Sequence, residues 1–516
     1  MTCSYNLIDR NWIPCVRMDG RLEDLSLRET LRQAQDLRGL QGDSPLETAA
    51  IYRMLLAMLH SALRGPRSQS EWVRLWDCGY WQPDLINGYL EKWSSRFDLF
   101  DPDRPFYQAA DARVKPKSTV SLVLDMASGN NASLFDHHTE AVGAILSPAK
   151  AARTLLVAQS FSLAGLSGLE QKFTDGPWGR GVIFLVEGQT LFQTLCLNLL
   201  RYPHETVLPS QPDDRPAWEN EDPYLPARQI PRGYLDYLTW QNRRILLIPE
   251  GDGASPMVSE MTMAPGLRLD ASIRDPMKLF LASKKEEGYF CMRFSEDRAL
   301  WRDSASLFGL KGSHGNRPPI NFHWIAELAE KGSLPQEQVY RFMALGMAND
   351  QAKIEFFCEE HMPMPLEYLE RDDLLEQLAA SLELAEQTRF WLKAAAQWLA
   401  LLVISPKSDG KRWQEVDRIS RDQAEKLTVH WNVERFYWQQ LEIPFFQFLE
   451  DLPEHPEALQ TWKESLRKAA WAALEQAAEF AGTDAAALKA SVCARGSLGA
   501  SLKQLFPDVQ KEEASL

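Results

Sequence analysis

Apolar residues recur at helical spacing through the last 150 or so residues, with few breakers between them. In "DDLLEQLAASLELAEQTRFWLKAAAQWLALLV", Leu378, Leu382, Ala385, Leu392, Ala395, Leu399 and Leu402 fall three, four or seven apart, which puts them on one face of a helix ended by Pro406. A second segment, about 421 to 452, carries Leu427, Trp431, Trp438, Leu441, Phe445, Phe448 and Leu452; Pro444 is predicted to kink it by removing a backbone donor. A third runs from Pro453 and Pro456 through Leu459, Trp462, Leu466, Ala470, Ala473 and Ala477 to a stop at Gly482. Asp484 then caps a fourth, with Leu488, Val492, Leu498, Leu502 and Leu505 inside it and Pro507 at its end. Four long helices joined by short loops hide their apolar stripes against one another, so residues 366–516 read as a four-helix bundle. The Glu-x-x-His pairs of di-iron bundles are missing from these faces, which makes the bundle a docking platform rather than a reaction chamber.

Residues 1–365 show a different pattern. Short β-like runs, "RGVIFLVEG", "RRILLIPE" and "GYFCMRFS", alternate with helical ones such as "LETAAIYRMLLAMLHSAL" and "QTLFQTLCLNLLRY", with Pro and Gly between them. The predicted fold class is α+β: one large mixed domain over 1–365, with a small β subdomain near 225–300, followed by the all-α bundle. No internal repeat of fixed period occurs.

Composition narrows the class. At 516 residues, 45 % apolar and 25 % charged, with seventeen Trp and twenty-three Phe, the chain is that of a globular protein with ample core material. No run approaches the roughly 20 apolar residues of a membrane span, and the start "MTCSYNLIDRNWIPC" has no basic stretch followed by an apolar one, so a cytoplasmic protein with no membrane partner is expected. Seven scattered cysteines without a C-x-x-C pair suggest reduced thiols and no zinc knuckle. A net charge of −15 argues against indiscriminate coating of nucleic acid, which is driven by Lys and Arg releasing counterions; a local basic groove is compatible with it.

Catalytic chemistry finds little support. Asp136, His137 and His138 in "SGNNASLFDHH" suggest a metal-dependent phosphoesterase, yet neighbours on an extended loop point apart, and no second cluster of ligands stands at the required spacing. The bland alternative is a loop whose His and Asp bond locally. "GLSGL" at 165–169 misses the nucleophile elbow, since Leu169 stands where Gly is required; its functional reading is a backbone brought close to a phosphate or a base edge. There is no Walker loop, so an ATP motor is excluded, and no cofactor is expected.

"YNLIDRNWIPC", "RPFYQ" at 104–108, "NNASLFDHH", "GLSGLEQKFTDGPWGRG", "DPM" at 275–277 and "GMANDQAKIE" at 346–355 occur in an order that resembles the large subunit of the type I-E CRISPR Cascade complex, the CasA family, over nearly the whole chain. The resemblance implies a non-catalytic subunit whose partners are other Cascade subunits, CRISPR RNA, double-stranded target DNA and a helicase-nuclease recruited in trans. Guide RNA would read the target by pairing, while this chain reads a short flanking motif from the minor groove, whose degenerate pattern suits a tolerant preference. Carried over, the loop from Asn130 and Asn131 through Phe135 touches that motif, as do the glycine loop with Gly165 and Gly168 and, by a gapped alignment, Arg268. Asn349, Asp350 and Gln351 match a wedge that parts the first base pairs; Asp350 stands where a relative has Asn, and its bland reading is a helix cap. Some members hold a four-cysteine zinc site; this chain lacks those cysteines, so no metal is expected.

Arg228, Arg232, Arg243 and Arg244, among Tyr234, Tyr237 and Trp240, read either as a solvated strand face or as a groove for a displaced single strand, with Arg on phosphates and rings on bases. Two rivals stand beside the resemblance: the phosphoesterase, and a scaffold that never touches DNA.

Overall fold

The structure is a computed structural model that describes residues 3–124, 144–203, 208, 210–251, 256–283, 288–309, 315–335, 338–350, 353–410 and 413–507. Two compact units emerge, Met1–Ser295 with Leu310–His361, and Glu296–Gly309 with Met362–Leu516. The second unit takes in a short internal segment, 296–309, ahead of its main stretch from Met362.

In the first unit, β1 (Ile13–Arg17) lies between β2 (Leu22–Leu25) and β3 (Leu37–Leu40), all antiparallel. A short helix, α1 (Leu27–Arg32), links β2 and β3. Its main helix, α2 (Pro45–Leu63), starts where the Ser44 side chain accepts from Glu47 N and Pro45 takes the first position, where a backbone N–H would have no helical partner. Every residue from Leu46 to His60 in α2 is buried, so its all-round apolar character is that of a core helix. Peripheral helices α3 (Gln69–Cys78) and α4 (Pro83–Lys92) follow; α5 (Pro148–Phe161) packs on α2.

Among the described residues, eight further strands form three small sheets. β4 (Lys117–Ser118) and β6 (Arg243–Glu250) flank β7 (Met257–Pro265). β5 (Ile183–Glu187) pairs antiparallel with β10 (Arg341–Asp350), whose other neighbour is β11 (Lys353–Pro363); β8 (Phe280–Ala282) and β9 (Tyr289–Cys291) form an antiparallel pair. Near-continuous burial along β5 and β10 explains why their sequences do not alternate. Short helices α6 (Leu191–Leu197), α7 (Tyr234–Leu238) and α9 (Ile320–Glu330) fill the connections.

The second unit contains α8 (Ser304–Phe308), α10 (Glu367–Glu370) and the long helices α11 (Asp372–Ile404), α12 (Arg418–His430), α13 (Val433–Asp451), α14 (Ala458–Ala481) and α15 (Ala485–Leu505). α11 is central and packs on α12, α13, α14 and α15. The predicted second helix is two helices. Its break lies at Trp431–Asn432, where Asn432 takes a left-handed φ of 54°, while Pro444 sits inside α13. Buried Leu441 and Phe445 on either side of the proline pack into the bundle, which offsets one lost backbone bond. Trp301, from the returning segment, stacks on Phe445 with ring centres 4.5 Å apart and meets Trp438 and Trp462 edge-on.

Candidate nucleic-acid interface

α5 ends at Phe161, and the chain makes an excursion through 162–175 before returning to the same point. Gly176 N donates to Ser162 O at 2.7 Å and Trp178 N to Ser160 O at 2.8 Å. A side chain at Gly176 would stand 2.5 Å from Ser160 O, so only glycine lets the two passes lie this close. At the neck of the excursion, Gly165 and Phe173 exchange backbone hydrogen bonds of 3.3 and 3.0 Å. Leu166 and Gly165 are exposed here, and Gly168 turns the chain at φ +76°. Ser167 Oγ accepts from Leu169 N at 3.0 Å and donates to the carbonyl of Gln171, so the tip is folded on itself.

Arg243 holds the base of this loop. Its guanidinium is buried and donates to Leu163 O at 2.9 Å, Thr174 O at 2.8 Å and Asn242 O at 3.1 Å, with its centre 4.5 Å over the Phe173 ring. Burial lowers even this guanidinium's pKa to about 10. Asn242 Nδ2 adds a bond to Thr174 O at 3.2 Å, and Gln171 Nε2 reaches Gly266 O at 3.2 Å, just past the end of β7. These ties bring the loop against the turn that carries Arg268, and between them lies a cleft of about 310 Å³. Glu170, Lys172, Asn242, Gly266 and Arg268 line it. Arg268 and Lys172 are exposed and have no carboxylate within ion-pair distance among the described residues.

Of the sequence-predicted positions, Arg268 lines the cleft, while Gly165 and Gly168 stand at the neck and tip of the loop whose following residues, Glu170 to Lys172, form the opposite wall. Asn130, Asn131, Phe135, Asp136, His137, His138 and Gln351 lie outside the described residues. Asn349 is buried and Asp350 exposed at the end of β10, so Asp350 closes a strand and caps no helix.

The arginine cluster is corrected by the structure. Arg243 cannot reach a displaced strand, because its guanidinium is turned inward onto loop carbonyls. Arg228 pairs with Asp236 and donates to Pro223 O at 3.0 Å; Arg232 pairs with Asp213 at 3.2 Å and donates to Leu225 O and Asn220 Oδ1. Both side chains are nearly covered, and the rings of Tyr234, Tyr237 and Trp240 are buried, so none of these aromatics offers a face to a base. Of the four arginines, Arg244 alone remains available, its guanidinium 3.9 Å over the Tyr224 ring.

The "DPM" and "GPWGRG" runs also find a physical role. Asp275 accepts from Trp178 Nε1 at 2.5 Å, from Met277 N at 2.7 Å and from the Tyr237 hydroxyl, with Arg53 Nη1 3.8 Å away. Lys278 is buried and donates to Pro177 O at 2.8 Å and Arg180 O at 2.6 Å, its pKa lowered by that burial. This buried polar network fixes the return strand of the loop from below. Among the described residues no group of three or more His, Cys, Asp or Glu is placed to hold a metal, and no helix is long and apolar enough to cross a membrane.

Sequence reasoning missed Arg243 as a fastener and Lys172 as a second cation of the cleft. Lys172 lies within the run "GLSGLEQKFTDGPWGRG", where its charge was the available signal; the role of Arg243 depends on carbonyls 69 and 80 residues away in sequence.

A cleft between a glycine-containing loop and an exposed arginine with no ion-pair partner among the described residues, on an α+β unit followed by a helical one, is the candidate binding site of this chain. The sequence profile of the family described as CRISPR-associated protein Cse1 matches residues 6–473, and this chain belongs to that family. It is 34 % identical to the "CRISPR-associated protein CasA/Cse1" of Thermus thermophilus, over 98 % of this chain and 99 % of that protein. The crystal structure of Thermus thermophilus CasA superposes with a TM-score of 0.79 at 31 % identity, covering 97 % of this chain and 99 % of the other. A chain from a structure described as a CRISPR RNA-guided surveillance complex shares the fold at a TM-score of 0.71 and 21 % identity, over 96 % of this chain and 99 % of that one.

Proposed function

We propose that this chain is the large, non-catalytic subunit of a CRISPR RNA-guided surveillance complex of the Cascade type, working in the cytoplasm with its sister subunits and CRISPR RNA. The observation that carries this reading is the cleft between Arg268 and residues 170–172 of the loop that also holds Gly165 and Gly168, in a member of the Cse1 family. The cleft takes the minor groove of the flanking motif: at the loop tip beside it the Gly168 backbone approaches without a side chain to obstruct it, and Arg268 and Lys172 meet the negative potential and the phosphates. Asn130, Asn131 and Phe135 add contacts to the motif, and Asp350 and Gln351 part the first base pairs, with the buried Asn349 behind them at the end of β10. Unstacking costs a few kcal/mol per step, so the guide duplex and the cleft contacts must offset it. Opened DNA is then passed to a helicase-nuclease recruited in trans.

The deciding experiment reconstitutes the complex with and without this chain and measures target binding across a library of flanking sequences. Motif dependence that appears only with the chain supports the reading. Full motif-dependent binding without it overturns the reading.

A further inference from the structure

A second groove, of about 370 Å³, lies between the turn that holds "RPFYQ", the 217–223 turn and β6. Its walls include Arg96, Arg104, Tyr107, Trp218, Gln241 and Arg244. We propose that this groove holds one unpaired nucleotide of a single-stranded nucleic acid, its phosphate on Arg104, Arg96 and Arg244 and its base directed toward Gln241. The inference rests on the reading that this chain meets opened DNA, and it gives the "RPFYQ" run, through Arg104 and Tyr107, a role of its own.

Three independent observations point to an occupant. Gln241 is 3 % exposed, yet its Oε1 has no hydrogen-bond donor among the described residues. A buried acceptor left empty is costly, so a ligand N–H or O–H is the natural partner, and the exocyclic amine or ring N–H of a base provides one. Tyr107 is a non-glycine residue at φ +62°, one of three such among the described residues, and backbone held in the left-handed region concentrates at ligand sites. The arginines form the third. Glu221, its side chain 81 % exposed, bridges Arg104 and, at 3.5 Å, Arg96. So exposed a bridge is weak, and a phosphate with several oxygens can take its place on both guanidiniums. Arg244, on the same wall, has no carboxylate within ion-pair distance among the described residues.

Size and charge favour a single nucleotide. The volume is at the lower end of the range for small-ligand pockets. Asp103 and Asp222 also stand on the rim, which repels a continuous run of phosphates while tolerating one beside three arginines.

The test is fluorescence anisotropy of the full-length chain with labelled single-stranded DNA, the same sequence as RNA, and the same sequence as a duplex, at low salt. Single strands are expected to bind, and the DNA and RNA arms show which strand the groove prefers. Arg104→Ala with Arg244→Ala is expected to weaken single-strand binding at least tenfold. Glu221→Gln, an exposed change that cannot disturb folding, is expected to tighten it severalfold by freeing Arg96 and Arg104. Gln241→Leu is expected to weaken it, with circular dichroism checking the fold. Unchanged affinity in the double variant, weaker binding in Glu221→Gln, equal dependence of duplex binding on these residues, or competition by a Glu-rich peptide as strong as by the oligonucleotide would overturn the proposal. The two readings fail separately: motif dependence is followed in duplex binding by the complex with Arg268→Ala, and nucleotide capture in single-strand binding by the chain alone.

Discussion

The guanidinium of Arg243 donates to the carbonyl of Leu163 at 2.9 Å, across 80 residues of sequence, and the same side chain reaches Thr174 at 2.8 Å. One residue thus clamps both ends of the glycine loop. Arg243→Met should leave the Leu163 carbonyl without a donor, strip those of Thr174 and Asn242 to one donor each, and cost about 3 kcal/mol, read as a lowered unfolding midpoint. Hydrogen exchange should rise most strongly over 164–173. Arg243→Lys should restore charge without restoring the loop, because an ammonium cannot span both carbonyls in a planar fork.

Arg268 is exposed and lacks an ion-pair partner among the described residues, so its removal should leave thermal stability unchanged. In the reconstituted complex, Arg268→Ala should weaken motif-dependent duplex binding by about tenfold and reduce the slope of log affinity against log salt by about 1. An unaltered slope would remove Arg268 from the interface.

A Cβ added at Gly168 would meet no atom within 4 Å, so substitution there faces no steric wall, only the left-handed φ of +76°. Gly168→Val should therefore cost about 1–2 kcal/mol of loop conformational energy and lower duplex binding with little change in global unfolding. Gly176→Ala is the contrast: its methyl would press on Ser160 O at 2.5 Å, and it should destabilise the whole unit.

Asp214 and His361 give pH signatures of the same sign in different windows. Asp214 is largely buried, which raises its pKa from 3.8 to about 6 despite bonds from Leu235 N, Asp236 N and the Tyr202 hydroxyl. The folded state then holds its proton longer than the unfolded state, so this group's contribution falls as pH rises from about 4 to 6. Asp214→Asn should gain on the parent across that window in denaturant titrations. His361 donates to Glu187 at 2.8 Å and Glu359 at 3.1 Å, which raises its pKa to about 10. Its contribution is complete below about 6.5 and fades as pH approaches and passes 10; partial exposure keeps it modest, and His361→Gln should show its deficit at about pH 6 and lose it above about pH 10.

Asn432 ends α12 and starts α13 in a left-handed conformation that Asn tolerates better than branched residues. Asn432→Gly should be neutral or slightly stabilising, and Asn432→Val should cost about 1–2 kcal/mol in thermal unfolding.

Helical periodicity made α11 and α14 legible because each buries a stripe over many turns, from Leu378 to Leu402 in the first case; in α15 the helix was legible but its buried face was not, since Leu488 and Val492 are exposed and Ala487, Ala490 and Ala494 are buried instead. The break at Asn432 was hidden because the apolar stripe continues across it and Pro444 offered a more obvious place to bend. In the mixed unit, β5, β6 and β9 matched apolar runs, and the glycine loop was visible as glycine punctuation. What could not be read was which arginines face inward. Arg228, Arg232, Arg243 and Arg244 look alike in sequence, and only carbonyls and carboxylates supplied by distant segments separate a structural clamp from an available cation.

Trp301 closes the bundle from a segment that precedes it by some sixty residues in the chain, since 296–309 folds with 362–516. The polypeptide consequently passes from one unit to the other three times, at 295/296, 309/310 and 361/362. A recombinant fragment beginning at 362 would be missing its own plug, leaving Trp438, Phe445 and Trp462 bare to solvent and prone to aggregate. Limited proteolysis at any one junction should leave the severed pieces associated, held by threading that a gene truncated at that junction would never have.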